Sequence, residues 1–130
     1  MDSVVSSILH SFNLNLRASD GHLWLPVMNI PDLNLLQQRL DIAMVLEQCE
    51  ISPEKHLLCY SNIQWHNAAN AKISLVDHNS LDPTQEELKT RVVQIIDHHA
   101  DSGQLSPPDK EIAKCGSAAS LILRRLLKPE

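Results

Sequence analysis

Two apolar runs that each end in an acid and an imidazole constrain this chain more than any other feature. Val92-Val93-Gln94-Ile95-Ile96 runs into Asp97-His98-His99, and Ile73-Ser74-Leu75-Val76 runs into Asp77-His78-Asn79. Strands of a parallel sheet are covered by helices on both faces, so they read as near-continuous Val/Ile/Leu stretches. Ligands of open α/β sheets bind just beyond the carboxyl ends of such strands. Two strand tips bearing Asp-His would thus aim oxygen and nitrogen ligands into one crevice, which is the layout of a metal site.

The rest of the chain fits an alternation of helices and strands. Val5, Ile8, Leu9 and Phe12 fall at helical spacing, with Asp2 or Ser3 able to cap the first turn. Residues 22–30 read as extended, and Pro26 restricts that strand to an edge or to a short span. Pro31-Asp32 opens a helix with Leu33, Leu36, Leu40, Ala43 and Met44 as its apolar stripe, stopped at Ile51-Ser52-Pro53. Leu57–Tyr60 is a short strand, and 62–70 is mostly polar with room for one helical turn. Residues 72–77 and 92–97 are the two strands of the candidate site, separated by a loop and short helix over 81–89. Residues 100–109 read as a loop, 112–115 as a weak strand, and Gly116-Ser117 opens a last helix with Ala119, Ile122, Leu123, Leu126 and Leu127 facing inward. Arg124, Arg125 and Lys128 near its end suit the helix dipole. This order predicts the α/β class, with a Rossmann-like parallel sheet flanked by helices.

Bulk properties narrow the partners. With 130 residues and 43% hydrophobic content, the chain is at most one domain, with a core of Leu, Ile, Val and Ala because aromatics are only 3%. A net charge of -5 argues against nucleic acid as the main partner. It leaves an anionic substrate open, since bound cations would reverse the local field. Cys49, Cys59 and Cys115 form no Cys-x-x-Cys pair and are expected as buried reduced thiols. With neither a signal-peptide pattern nor about 18 consecutive apolar residues, no membrane partner is expected and the cytoplasm is the expected location.

At the strand tips, carboxylate with imidazole suits Mn2+, Mg2+, Co2+, Fe2+ or Zn2+, more oxygen favouring the harder ions. Asp77 could bridge two ions with His98 on one of them, while His99 donates to a phosphate oxygen. Taken singly, Asp-His at a strand end is common, and most helix N-termini such as Gly116-Ser117 are simply capped. His10, His22, His56 and His66 are scattered and read as surface or core histidines.

Asp77-His78-Asn79, Asp97-His98-His99 and Gly116-Ser117-Ala118-Ala119-Ser120, in that order, resemble three signature motifs of the DHH phosphoesterase superfamily, with Ser120 where the family's Gly-Ser-x-x-Thr has Thr. The likeness is closest to the branch of prune proteins and exopolyphosphatases, and Leu25–Ile30 is similar to that branch's segment after the first helix. Met1-Asp2-Ser3-Val4-Val5-Ser6 resembles the second half of the family's first motif. The resemblance implies two divalent cations, Mn2+ or Mg2+, held by Asp2, Asp77 and His98, with Asp77 bridging. It implies a phosphate contact from His99 and an anionic phosphate substrate, a short polyphosphate or pyrophosphate. Asp97 supports the imidazoles, Gly116 and Ser117 form the helix start, and the role of His78 is open.

The same likeness implies departures. Residues 1–130 match a partial DHH domain, without the family's first strand and first acid, its downstream Asp and its smaller C-terminal domain. Loss of one second-shell partner can cost about 10–100-fold in affinity or activity, and loss of direct ligands should cost more. Impaired hydrolysis is therefore expected. The alternative is a truncated, inactive isoform that acts as an interaction module, with protein partners.

Overall fold

The computed structural model describes residues 1–128. By their contacts these fall into two compact units, one of Ser3–Ala68 with Met1, the other of Ala69 onward with Asp2. Every strand pairing is parallel, as expected for the α/β class. The strands form two hydrogen-bonded sheets, one of two strands and one of three. No helix among the described residues is long and apolar enough to cross a membrane.

In the first unit, helix α1 (Asp2–Arg17) is followed by β1 (Val27–Met28), α2 (Asn34–Gln37), α3 (Leu40–Gln48), α4 (Pro53–His56) and β2 (Leu58–Cys59). β1 pairs with β2 in the register Val27↔Leu58, and Pro26 contributes only its carbonyl, which accepts from Leu58 N at 3.3 Å. That is the short edge pairing a proline permits. Val4, Met28, Leu36, Ile42, Leu46 and Leu57 form the core of this unit.

Three expectations for the first unit are corrected. The helix expected from Pro31 onward is broken, because Arg39 is extended (φ -99°, ψ 96°) between α2 and α3. The break rotates the buried face: Ile42 and Leu46 point inward, whereas Leu40 is 76% and Met44 59% exposed. Along α1, Ile8 packs against the core, but Phe12 is 54% exposed while Ser6, His10 and Asn13 are buried, so the inward face is only partly the apolar stripe. Cys49 is exposed, and only Cys59 is a fully buried thiol; all three cysteines are free.

The second unit holds the predicted strands. β3 (Ile73–Val76), β4 (Val92–Asp97) and β5 (Asp109–Ile112) lie in the order β3-β4-β5. A 3₁₀ helix over Pro83–Arg91 joins β3 to β4, and α5 (Ala118–Leu127) follows β5. Asp82 caps the 3₁₀ helix, its carboxylate accepting from Thr84 N at 2.9 Å. β4 is central and its Ile95 and Ile96 are fully buried. Leu75, Val92, Ile95 and Leu105 form the core on this side.

β5 corrects the expectation of a loop to 109 and a strand at 112–115. It is an edge strand built on Asp109, Lys110 and Glu111, charges that discourage further pairing along that edge. Those charges are matched from within. Arg125 of α5 donates to Asp109 at 2.8 and 2.9 Å and also to Glu111, which Arg124 contacts too. Lys110 reaches Asp101 at 2.7 Å. The arginines expected to serve the helix dipole thus tie α5 to β5. The helix consequently buries Ala118, Leu121 and Ile122, and Leu123 and Leu127 are exposed, contrary to the expected stripe.

Burial pushes the Glu111 carboxyl up, but the Arg125 and Arg124 hydrogen bonds outweigh it and hold the group below its ordinary value. A depressed folded value gives stability that is fully present above the unfolded value, about 4.3, and is lost as pH falls through the folded one. Arg125→Ala is expected to cost about 1–3 kcal/mol, since it removes a bidentate charged pair that is partly buried. The loss should show in urea unfolding at pH 7 and shrink below pH 4. An unchanged midpoint at pH 7 would refute it.

Candidate metal centre

The site gathers at the carboxyl ends of β3 and β4. β3 stops at Val76 because Asp77 adopts φ 63°, in the left-handed region, while its N–H still donates to Ile96 O at 3.0 Å. Asp tolerates that conformation better than bulky residues, but it remains sparsely populated, and such outliers cluster at functional sites. The turn lifts the Asp77 carboxylate out of the sheet direction and toward the imidazoles that follow β4. Ligand atoms of Asp77, His98 and His99 lie within 4.8 Å of one another, a group able to hold a metal ion.

His98 is held from behind. Its Nδ1 donates to the Cys115 carbonyl at 3.0 Å, which fixes the ring and leaves Nε2 as the atom facing the site. Nε2 lies 3.1 Å from Asp77 Oδ1 and 3.4 Å from Asp2 Oδ2. Nε2 and the two carboxylate oxygens face the same point. A proton or a cation must sit among them for the arrangement to be favourable. A carbonyl behind a histidine whose other nitrogen is free is the usual support of a metal-binding imidazole.

Asp2 groups with this unit rather than capping α1 as expected. Its carboxylate accepts from Ala118 N at 2.8 Å and Ala119 N at 3.2 Å, the unsatisfied first-turn donors of α5. The helix N-terminus favours that negative charge. Ser117 is the N-cap of α5, its hydroxyl accepting from Ser120 N at 3.2 Å. Gly116 has nothing within 4 Å of where a Cβ would lie, so local packing does not demand a glycine there.

Asp97 lies beneath the imidazoles with no exposed surface. Its Oδ1 accepts from His98 N at 2.8 Å, His99 N at 3.3 Å and His99 Nδ1 at 2.7 Å, and its Oδ2 accepts from the Asn79 amide. Burial raises the Asp97 carboxyl, but the His99 and Asn79 side chains and the two backbone N–H groups outweigh it and set it below its ordinary value. The same hydrogen bond to Asp97 is the main reason His99 is raised above the usual histidine range, with Asp77 and Asp2 adding to it. His99 is 58% exposed, so its ring is presented to solvent beside the Asp77–His98 pair.

Of the residues picked out from sequence, Asp2, Asp77, His98 and His99 converge, and Asp97 supports them. His78 turns back, its Nδ1 donating to Val76 O at 2.9 Å, and stays outside the cluster. Asn79 and Cys115 carry contacts that sequence reading did not assign. Asn79 lay inside a quoted motif, whereas the role of Cys115 runs through its backbone carbonyl, which no residue type can signal.

No family model matches the chain. It is 29% identical over 132 aligned residues to the mouse protein (Mus musculus) named Exopolyphosphatase PRUNE1, 30% identical to that of Homo sapiens and 28% to that of Rattus norvegicus. Each alignment takes in 98% of this chain but 29% of the relative. The chain thus spans less than a third of the length of the curated relatives it matches. Over that stretch it is similar to the prune-type exopolyphosphatases, proteins of the DHH phosphoesterase superfamily.

Proposed function

We propose that this chain carries the cation- and phosphate-binding part of a phosphohydrolase site acting on a phosphoanhydride, a short polyphosphate or pyrophosphate. The observation that supports this most strongly is the pinned His98, whose Nε2 faces the carboxylates of Asp77 and Asp2 at 3.1 and 3.4 Å. In this reading Asp2, Asp77 and His98 would hold divalent cations. Two oxygen donors to one nitrogen suit Mn2+ or Mg2+. Such cations would polarise a phosphoryl oxygen and make water a competent nucleophile at neutral pH.

The other groups have separate tasks. His99, held by Asp97 and raised above the usual histidine range by it, donates from Nε2 to a phosphate oxygen. Asp97 takes no part in cation binding; it fixes the His99 imidazole and the backbone N–H groups of His98 and His99. Gly116 and Ser117 shape the start of α5, whose first-turn N–H groups hold Asp2 in place. Three side chains are a small donor set for two cations, so slow hydrolysis is expected.

The test is phosphate release from tripolyphosphate and from pyrophosphate. Release that needs added Mn2+ or Mg2+ and is lost in Asp77→Ala would support the reading. Release that persists in Asp77→Ala would contradict it. Cation and phosphate-analogue binding without any release would favour the alternative, a non-catalytic binding module.

A further inference from the structure

Asn79 is 6% exposed and makes four hydrogen bonds, one with Asp97 at the end of β4 and three with the segment that follows it. Its Nδ2 donates to Asp97 Oδ2 and to Ala100 O at 2.9 Å, its Oδ1 accepts from Ser102 N at 2.8 Å, and its carbonyl accepts from Ser102 Oγ at 3.0 Å. A buried primary amide with two donors and one carbonyl oxygen is thereby fully used. The remaining contacts of Asp97 converge on its other oxygen, Oδ1, which serves His98 N, His99 N and His99 Nδ1. The amide of Asn79 therefore decides which way the Asp97 carboxylate is rotated.

We infer that Asn79 is a positioning residue for phosphate recognition: it locks the Asp97 carboxylate so that Oδ1 holds the His99 ring with Nε2 facing the substrate. This rests on the reading of His99 as the phosphate donor. Without the amide, Oδ2 is buried with no donor and the carboxylate turns to find one. His98 is held by a different anchor, the Cys115 carbonyl, so Asn79 should govern one imidazole and not the other. A general packing role would not separate the two rings.

The experiment uses that difference. In the metal-free chain, the His99 Nδ1 and His98 Nδ1 protons are followed by NMR, in wild type, in Asn79→Ala and in Asn79→Ser, whose hydroxyl ends one atom short of the amide nitrogen. Exchange of the His99 Nδ1 proton should accelerate at least about tenfold in both variants, the scale of one lost hydrogen bond, while the His98 proton is unchanged. Retention of both protons, or loss of both, would overturn the inference. A second arm measures binding of imidodiphosphate to the Mn2+-loaded chain. Asn79→Ala should weaken it about tenfold, and should add nothing in a His99→Ala background. If wild type binds no imidodiphosphate while the His99 proton behaves as expected, the phosphate reading fails and the lock on Asp97 stands only as structure.

Discussion

Replacing His98 with alanine is expected to weaken Mn2+ binding by at least about a hundredfold, because a direct ligand should cost more than the 10–100-fold of an outer-shell partner. The expectation comes from geometry alone. Nε2 of His98 is the single nitrogen that faces both carboxylates, and its ring cannot swing away while Nδ1 donates to Cys115 O at 3.0 Å. Removing it leaves two like charges with no group between them. Calorimetric titration of Mn2+ into both chains reads the effect directly. His78→Ala is the matched control, since that ring is turned toward Val76, and it should bind as wild type does. Equal affinity in His98→Ala and wild type would remove His98 from the site.

The second large effect is on stability. Asp97→Ala removes the acceptor for two backbone N–H groups, the Asn79 amide and the His99 ring at once. Leaving several such donors unsatisfied is expected to cost about 3 kcal/mol or more, read from the urea midpoint at pH 7. The pH dependence of the metal-free wild type follows from the same pair. Asp97 is lowered in the folded state, so its contribution is present above its unfolded value near 3.9 and is lost as pH falls through the folded one. His99 is raised, so its contribution is fully present below its unfolded value near 6.5 and is lost as pH rises through the folded one. Stability should therefore decline on both sides of a window from mild acid to near neutrality. A midpoint in Asp97→Ala within about 0.5 kcal/mol of wild type, the range of neutral surface changes, would contradict this role.

The parts of the fold and site visible in the sequence are those where local pattern and tertiary demand agree. β3 and β4 are buried on both faces, so their Val/Ile runs identify them, and the acids that end those runs identify the crevice. β5 was hidden because its pairing is decided elsewhere. Asp109 reads as the end of a loop, and Lys110 and Glu111 as part of no strand, until Arg124, Arg125 and Asp101 are placed against them. The break between α2 and α3 was hidden for a related reason. Gln38-Arg39 contains no glycine or proline, and the extended Arg39 forks onto Asp41 and brings a new face, Ile42 and Leu46, inward.

In the site itself, residue identity announced Asp77, Asp97, His98 and His99, whereas Asp2 became interpretable only through a family motif. Its carboxylate meets backbone N–H groups that lie more than a hundred positions away in the chain. Asn79 had a visible place but no visible task, since its four bonds depend on how the segment after β4 folds back.

Crystals of the chain soaked in Mn2+ would test the central claim most directly, through the position of the anomalous signal. The account predicts a peak within about 2.3 Å of His98 Nε2 and an Asp77 carboxylate oxygen, the range of metal–nitrogen and metal–oxygen bonds. A peak elsewhere, with His98 Nε2 facing the two carboxylates and bound to no metal, would contradict it.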